Sequence, residues 1–187
     1  MVEVWKNSKK IKKDYRLRLT KAEHDLIKEM RVSNGGVVNN VLVIGDLHEP
    51  FCLDKYLEFC VSKYEQFDCT EVVFIGDIID NHYASYHETN ADGMGGADEL
   101  ELSIKRIARW YKEFPKATVI IGNHDRMIFR KGQTSSIPSK WIKSYKEVLE
   151  VPGWNFVERY VKDNVQYLHG EGGTARTKCR ADMQNTV

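Results

Sequence analysis

An α/β architecture, a layered β-sheet core flanked by helices, is what these 187 residues predict. Three observations carry it. Short apolar runs rich in Val and Ile recur at VLVIG, VVFIG and TVIIG, as strands covered on both faces require. Between the runs lie segments with apolar residues at helical spacing. Each run reaches a Gly and then turns polar at once, so the three strands end alike. Strand, helix, strand, helix, strand is the signature of a layered sheet.

The elements follow in order. Ser33-Asn34-Gly35-Gly36 is a turn-forming cluster that divides a basic extension, 1–36, from a domain, 37–187. In the extension YRLRLT alternates as a short strand, and Thr20 caps a helix over 21–31 with Glu23 as its capping-box partner. The first buried strand spans 41–45. A helix near 53–65 carries Leu57, Cys60, Val61 and Tyr64 on one face. The second strand is EVVFIGD, 71–77. After the Gly-rich loop HETNADGMGG, a helix near 97–113 turns Leu100, Ile104, Ile107 and Tyr111 inward and Lys105, Arg106, Arg109 and Lys112 to solvent. Pro115 closes it, and ATVIIGNHD supplies the third strand. A helix near 139–150 and strands around 154–160 and 164–169 complete the pattern.

Composition narrows the class. Apolar residues at 42% and charged residues at 29% describe an ordinary soluble chain long enough for a substantial core. No window approaches the ~18 apolar residues of a membrane span, and the N-terminus lacks the apolar region of a secretory signal. Cys52, Cys60, Cys69 and Cys179 show no CxxC spacing and read as reduced thiols in the cytoplasm. Net charge is +1, but residues 1–31 hold ten Lys or Arg against five acids. That is +5 locally, leaving the rest at −4. The extension therefore has an electrostatic attraction to nucleic acid that the rest lacks.

The chemistry sits at the strand ends. Asp46 and His48 follow the first strand, Asp77 and Asp80 the second, and Asn123, His124 and Asp125 the third. In a parallel sheet these ends lie along one edge, where ligands bind. Carboxylate, imidazole and amide oxygen suit hard or borderline divalent ions. Because a carboxylate can bridge two cations, the set suits a binuclear site and phosphoryl chemistry.

GDLH, GDIID and GNHD resemble, in order, the GDxH, GDxxD and GNH[DE] motifs of calcineurin-like metallophosphoesterases. The resemblance runs from about Val41 to the C-terminus. It implies that Asp46 and His48 ligate one metal, that Asp77 bridges two, and that Asn123 and His169 ligate the second. It further implies that His124 stabilises or protonates the reacting phosphate ester, that Asp125 orients His124, and that Asp80 supports the ligands from behind. The implied reaction is hydrolysis of phosphate mono- or diesters by a metal-bridging hydroxide. The implied cofactors are two divalent ions, manganese first, with iron or zinc as alternatives. GDxVDRG and GNHE, the motifs of protein Ser/Thr phosphatases, are replaced here by GDIIDNH and GNHD, which favours a more general esterase.

The family's next motif, GHxH, is absent: none of the six histidines follows His169. The expectation is a domain truncated before its final strands. That shortfall gives an alternative some force, a catalytically impaired relative that binds nucleic acid or phosphate without turnover. His82 and His87 lie in the loop near the expected mouth, where they either touch substrate or are solvated. YRLRLT with KAEHDLIKEMR also resembles the first strand and helix of ribbon-helix-helix DNA-binding proteins, which makes nucleic acid the expected partner of the extension.

Overall fold

The computed structural model describes residues 39–170 except Thr89, Ala91 and Asn164, together with Asp25 and Glu29. The chain divides at Asn39/Asn40, and the unit from Asn40 onward holds everything below. The expectations for YRLRLT and for a truncated C-terminus lie outside the described residues. The expected helix over 21–31 is described only at Asp25 and Glu29, both helical and exposed.

Four strands, β1 (Val41–Ile44), β2 (Glu71–Phe74), β3 (Ala117–Ile120) and β4 (Trp154–Val157), form one sheet in the order β1-β2-β3-β4. Every pairing is parallel. Between them run α1 (Tyr56–Gln66), α2 (Gly96–Glu113), α3 (Met127–Thr134) and the one-turn α4 (Tyr145–Val148). Short 3-10 turns occupy His82–Ala84 and Ser139–Trp141. A separate antiparallel hairpin, β5 (Tyr160–Lys162) and β6 (Val165–Tyr167), follows β4.

The α/β layered sheet is the expected one, with informative differences. β2 is covered on both faces, with Val73 and Phe74 fully buried. β1 lies at the end of the strand order, and its Val43 is 45% exposed, so the run VLVI is covered on one face only. Phe74 anchors the core, its ring 4.7 Å from Trp154 and 5.9 Å from Trp110. Each such buried aromatic contributes about 1.5–3 kcal/mol through the water it excludes.

On α2 the buried stripe is Glu99, Ser103, Ile107 and Trp110 rather than the purely apolar one expected. Polar residues fill core positions because each finds a buried partner, and hydropathy spacing is blind to that. The expected helix over 139–150 is a 3-10 turn and the single turn α4. Ser144 and Glu147 form a capping box there, which starts the helix late. The helix α3 was not anticipated. Its buried Gly132 leaves room for Ile142, whose Cδ1 would stand 2.6 Å from any Cβ at that position.

Register decides what the strand ends share. Ile44 pairs with Phe74 and Ile120 with Val157, so the loops after β1, β2 and β3 leave one edge together. The first two loops then remain hydrogen-bonded beyond the strands. His48 N–H donates to the Asp77 carbonyl (2.9 Å), Glu49 N–H to that of Ile78 (2.9 Å) and Asp80 N–H to that of Glu49 (3.0 Å). Backbone alone thus fixes His48 relative to Asp77 and Asp80.

Candidate metal centre

Asp77 stands at the middle of the site. Its Oδ2 lies 3.2 Å from His169 Nε2 and 3.7 Å from His48 Nε2, while its Oδ1 accepts the His124 backbone N–H at 2.9 Å. Burial pushes this carboxyl up, but hydrogen bonds from His169 and His124 outweigh that and hold it below the ordinary range. Gly122 makes the arrangement possible, since a Cβ there would meet Asp77 Oδ1 at 2.2 Å and its backbone nitrogen at 2.4 Å.

Three imidazoles are fastened in the same way. His169 donates from Nδ1 to the Ile75 carbonyl (2.7 Å), His124 to that of Asp80 (2.6 Å), and His48 to the Asp80 carboxylate (2.8 Å). Each bond assigns a proton to Nδ1, which leaves Nε2 of His48 and His124 as the available nitrogen, while Nε2 of His169 donates to Asp77 in the metal-free protein. Metal-binding histidines are held in this manner, the second nitrogen fixing tautomer and ring orientation. Asn123 Oδ1 lies 3.0 Å from His169 Nε2. The hydrogen bond to Asp77, assisted by the Ile75 carbonyl and opposed by burial, raises His169 to about 9.

Ligand atoms converge in three groups, each within 4.8 Å: Asp46 with Asp77 and His169, His48 with Asp80 and His124, and Asp80 with His82 and Glu99. Asp46 and His48 stand in different groups, each within reach of Asp77, which shares a group with Asp46 and lies 3.7 Å from His48 Nε2. Asp77 lies between them. Asp46, His48 and Asp77 all adopt left-handed backbone, with φ of 46°, 46° and 52°. Such φ values in residues other than Gly collect at functional sites.

Asp125 does not orient the His124 ring as expected. Its buried carboxylate accepts backbone N–H groups from Gly122 (2.8 Å), Asp77 (2.9 Å) and Ile78 (3.0 Å). Burial pushes it up to about 6 against the pull of those amides. It staples the second loop to the third, and the orienting role for His124 falls to the Asp80 carbonyl.

Other residues escaped the sequence reading. Glu49, 2% exposed, accepts Trp110 Nε1–H at 2.9 Å and pairs with Arg106. Arg106 also reaches the Cys52 carbonyl at 2.6 Å, so it is not on a solvated face as expected. Buried Glu99 pairs with His82, which is therefore a held side chain rather than a solvated one. Asn81 donates to the His124 carbonyl at 3.1 Å. The only signal in sequence was a Glu directly after GDLH and an Arg on the following long helix.

The family model for calcineurin-like phosphoesterases matches residues 40–183. The chain belongs to that family. A search of curated proteins found no match, and neither did a search of solved structures. The calcineurin-like match spans all three strand-end loops and His169, so family and geometry address the same residues. The clustered carboxylates and imidazoles agree with the divalent-metal chemistry of calcineurin-like phosphoesterases. No helix among the described residues is long and apolar enough to cross a membrane.

Proposed function

We propose that this chain hydrolyses phosphate esters at a binuclear divalent-metal site, with Mn²⁺ the working ion. The observation that carries the reading is the set of three imidazoles, each fastened at Nδ1, around the buried Asp77 carboxylate. Asp77 would be the shared ligand, with Asp46, Asn123 and His169 on one side of it and His48 on the other to hold the ions. Divalent ions there supply Lewis acidity toward phosphate oxygens and acidify a water. His124 keeps its Nδ1 proton on the Asp80 carbonyl, so it would give a proton to the leaving oxygen from Nε2 only as the doubly protonated imidazolium, returning to the neutral Nδ1–H ring. Asp80 keeps His48 and His124 in register with one another, their ring centroids 4.6 Å apart.

The test is hydrolysis of p-nitrophenyl phosphate and its bis ester. Activity is expected with Mn²⁺, lost with EDTA and restored by added Mn²⁺. Tight Mn²⁺ binding by calorimetry without turnover of either ester would replace this reading with a non-catalytic phosphate binder.

A further inference from the structure

Between Arg126 and Lys146 the sequence holds six basic residues and no acid. This stretch starts one residue after Asp125 and is pinned back to it, since Tyr145 Oη donates to the Asp125 carbonyl at 3.2 Å. Residues 126–145 are thus an excursion with both ends rooted on the third strand-end loop. Within it α3 touches the 82–84 turn on one side and the 139–141 turn on the other.

The excursion exposes aromatic as well as basic groups. Trp141 is 82% exposed and makes no ring contact among the described residues. Lys140 and Lys143, also exposed, flank it in sequence. Across α3, half-exposed Tyr86 carries Lys131 Nζ at 4.4 Å and Arg130 Cζ at 5.2 Å from its ring centre, and its hydroxyl lies 3.1 Å from Thr134 Oγ1. Arg130, Lys131, Lys140 and Lys143 are not ion-paired with any carboxylate among the described residues. Glu147, the nearest acid to Lys140 and Lys143 along the chain, is hydrogen-bonded to Ser144 and feels the Lys143 charge without forming an ion pair with it.

An indole this open costs solvation unless something flat covers it, and cations without acidic partners call for an anion of repeating charge. Bases stack on aromatic faces while Lys and Arg follow the phosphates: that combination recognises single strands. A duplex offers phosphates but hides its base faces. A membrane surface would bury an apolar face, whereas Trp141 is flanked by Lys140 and Ile142, with Ser139 and Lys143 beyond them, and Ile142 packs against Gly132.

We propose that this excursion and Tyr86 form a track for single-stranded polynucleotide, with a base on Trp141 and backbone phosphates on Lys140, Lys143, Arg130 and Lys131. It deepens the phosphoesterase reading, on which it rests for the fate of the strand, by naming the polymer whose phosphodiester reaches the metal site.

Fluorescence anisotropy of the full chain in EDTA tests it, with labelled oligothymidylate and oligouridylate of about 20 nucleotides. Trp141→Ala should weaken binding about tenfold. K140E/K143E should weaken it further and reduce the slope of log affinity against log salt by about 1. The two oligomers separate DNA from RNA as the natural strand, and both variants are checked for wild-type circular dichroism. Wild-type affinity in both variants would overturn the track, as would equal affinity for a duplex, or Trp141-dependent binding to phosphatidylglycerol vesicles but to neither oligomer. Hydrolysis of the bis ester by the wild type is measured in parallel. Failure there with Trp141-dependent strand binding removes the phosphoesterase reading and leaves the track standing.

Discussion

His169 Nε2 lies 3.2 Å from Asp77 Oδ2, and its Nδ1 is held by the Ile75 carbonyl two residues before that aspartate. One short segment at the end of β2 therefore both supplies the central carboxylate and aims the imidazole at it. Asp77→Asn keeps the shape and removes the charge. Hydrolysis of the bis ester should fall by at least two orders of magnitude, about 3 kcal/mol of transition-state stabilisation. Calorimetry should show weakened Mn²⁺ binding, and a variant with full activity would end the shared-ligand assignment.

The same contact sets a pH dependence. The metal-free His169 titrates near 9, above its ordinary 6.5. A raised folded-state value contributes stability fully below about pH 6.5, and the contribution disappears as pH rises through about 9. The melting temperature of the metal-free protein should therefore fall across that window, and His169→Gln should flatten the fall. Mn²⁺ needs the deprotonated nitrogen, so its stabilising effect should grow over the same window.

Gly122→Ala tests the close approach of the third loop to Asp77. The added methyl would sit 2.2 Å from Asp77 Oδ1, so one loop must move. Overpacking of this kind costs typically 1–3 kcal/mol. Mn²⁺ affinity should drop along with thermal stability, whereas Gly95→Ala, whose added methyl would meet only the end of the Asp98 side chain at 3.5 Å, should leave the affinity nearly unchanged.

Arg106→Met removes the cation that pairs with buried Glu49. An uncompensated buried carboxylate costs roughly 3 kcal/mol. Urea unfolding should register that loss, and adding Glu49→Gln should recover part of it. Additive losses in the double variant would show that the pair is not a unit.

The parallel sheet and its three polar strand ends were legible because an apolar run terminating in Gly and Asp is visible within one window. His169 needed only its place after a predicted strand. Glu49, Glu99 and Arg106 were not legible, since a buried charge is recognised by the partner it meets across the fold. For Glu49 that partner lies on α2, far along the chain. Asp125 was misread for a similar reason: adjacency to His124 suggested a side-chain contact, but its carboxylate turns away onto amides of the neighbouring loop. On α3, Gly132 receives Ile142, a packing contact that no local propensity encodes.

The left-handed backbone at Asp46, His48 and Asp77 sets stability against metal binding at the candidate centre. Glycine would occupy each position without steric penalty, whereas the residues present cost of order 1 kcal/mol apiece. Folding alone therefore rewards losing all three side chains. Replacing any of the three by Gly should raise the melting temperature of the metal-free protein while weakening Mn²⁺ binding, so that stability and metal affinity move in opposite directions.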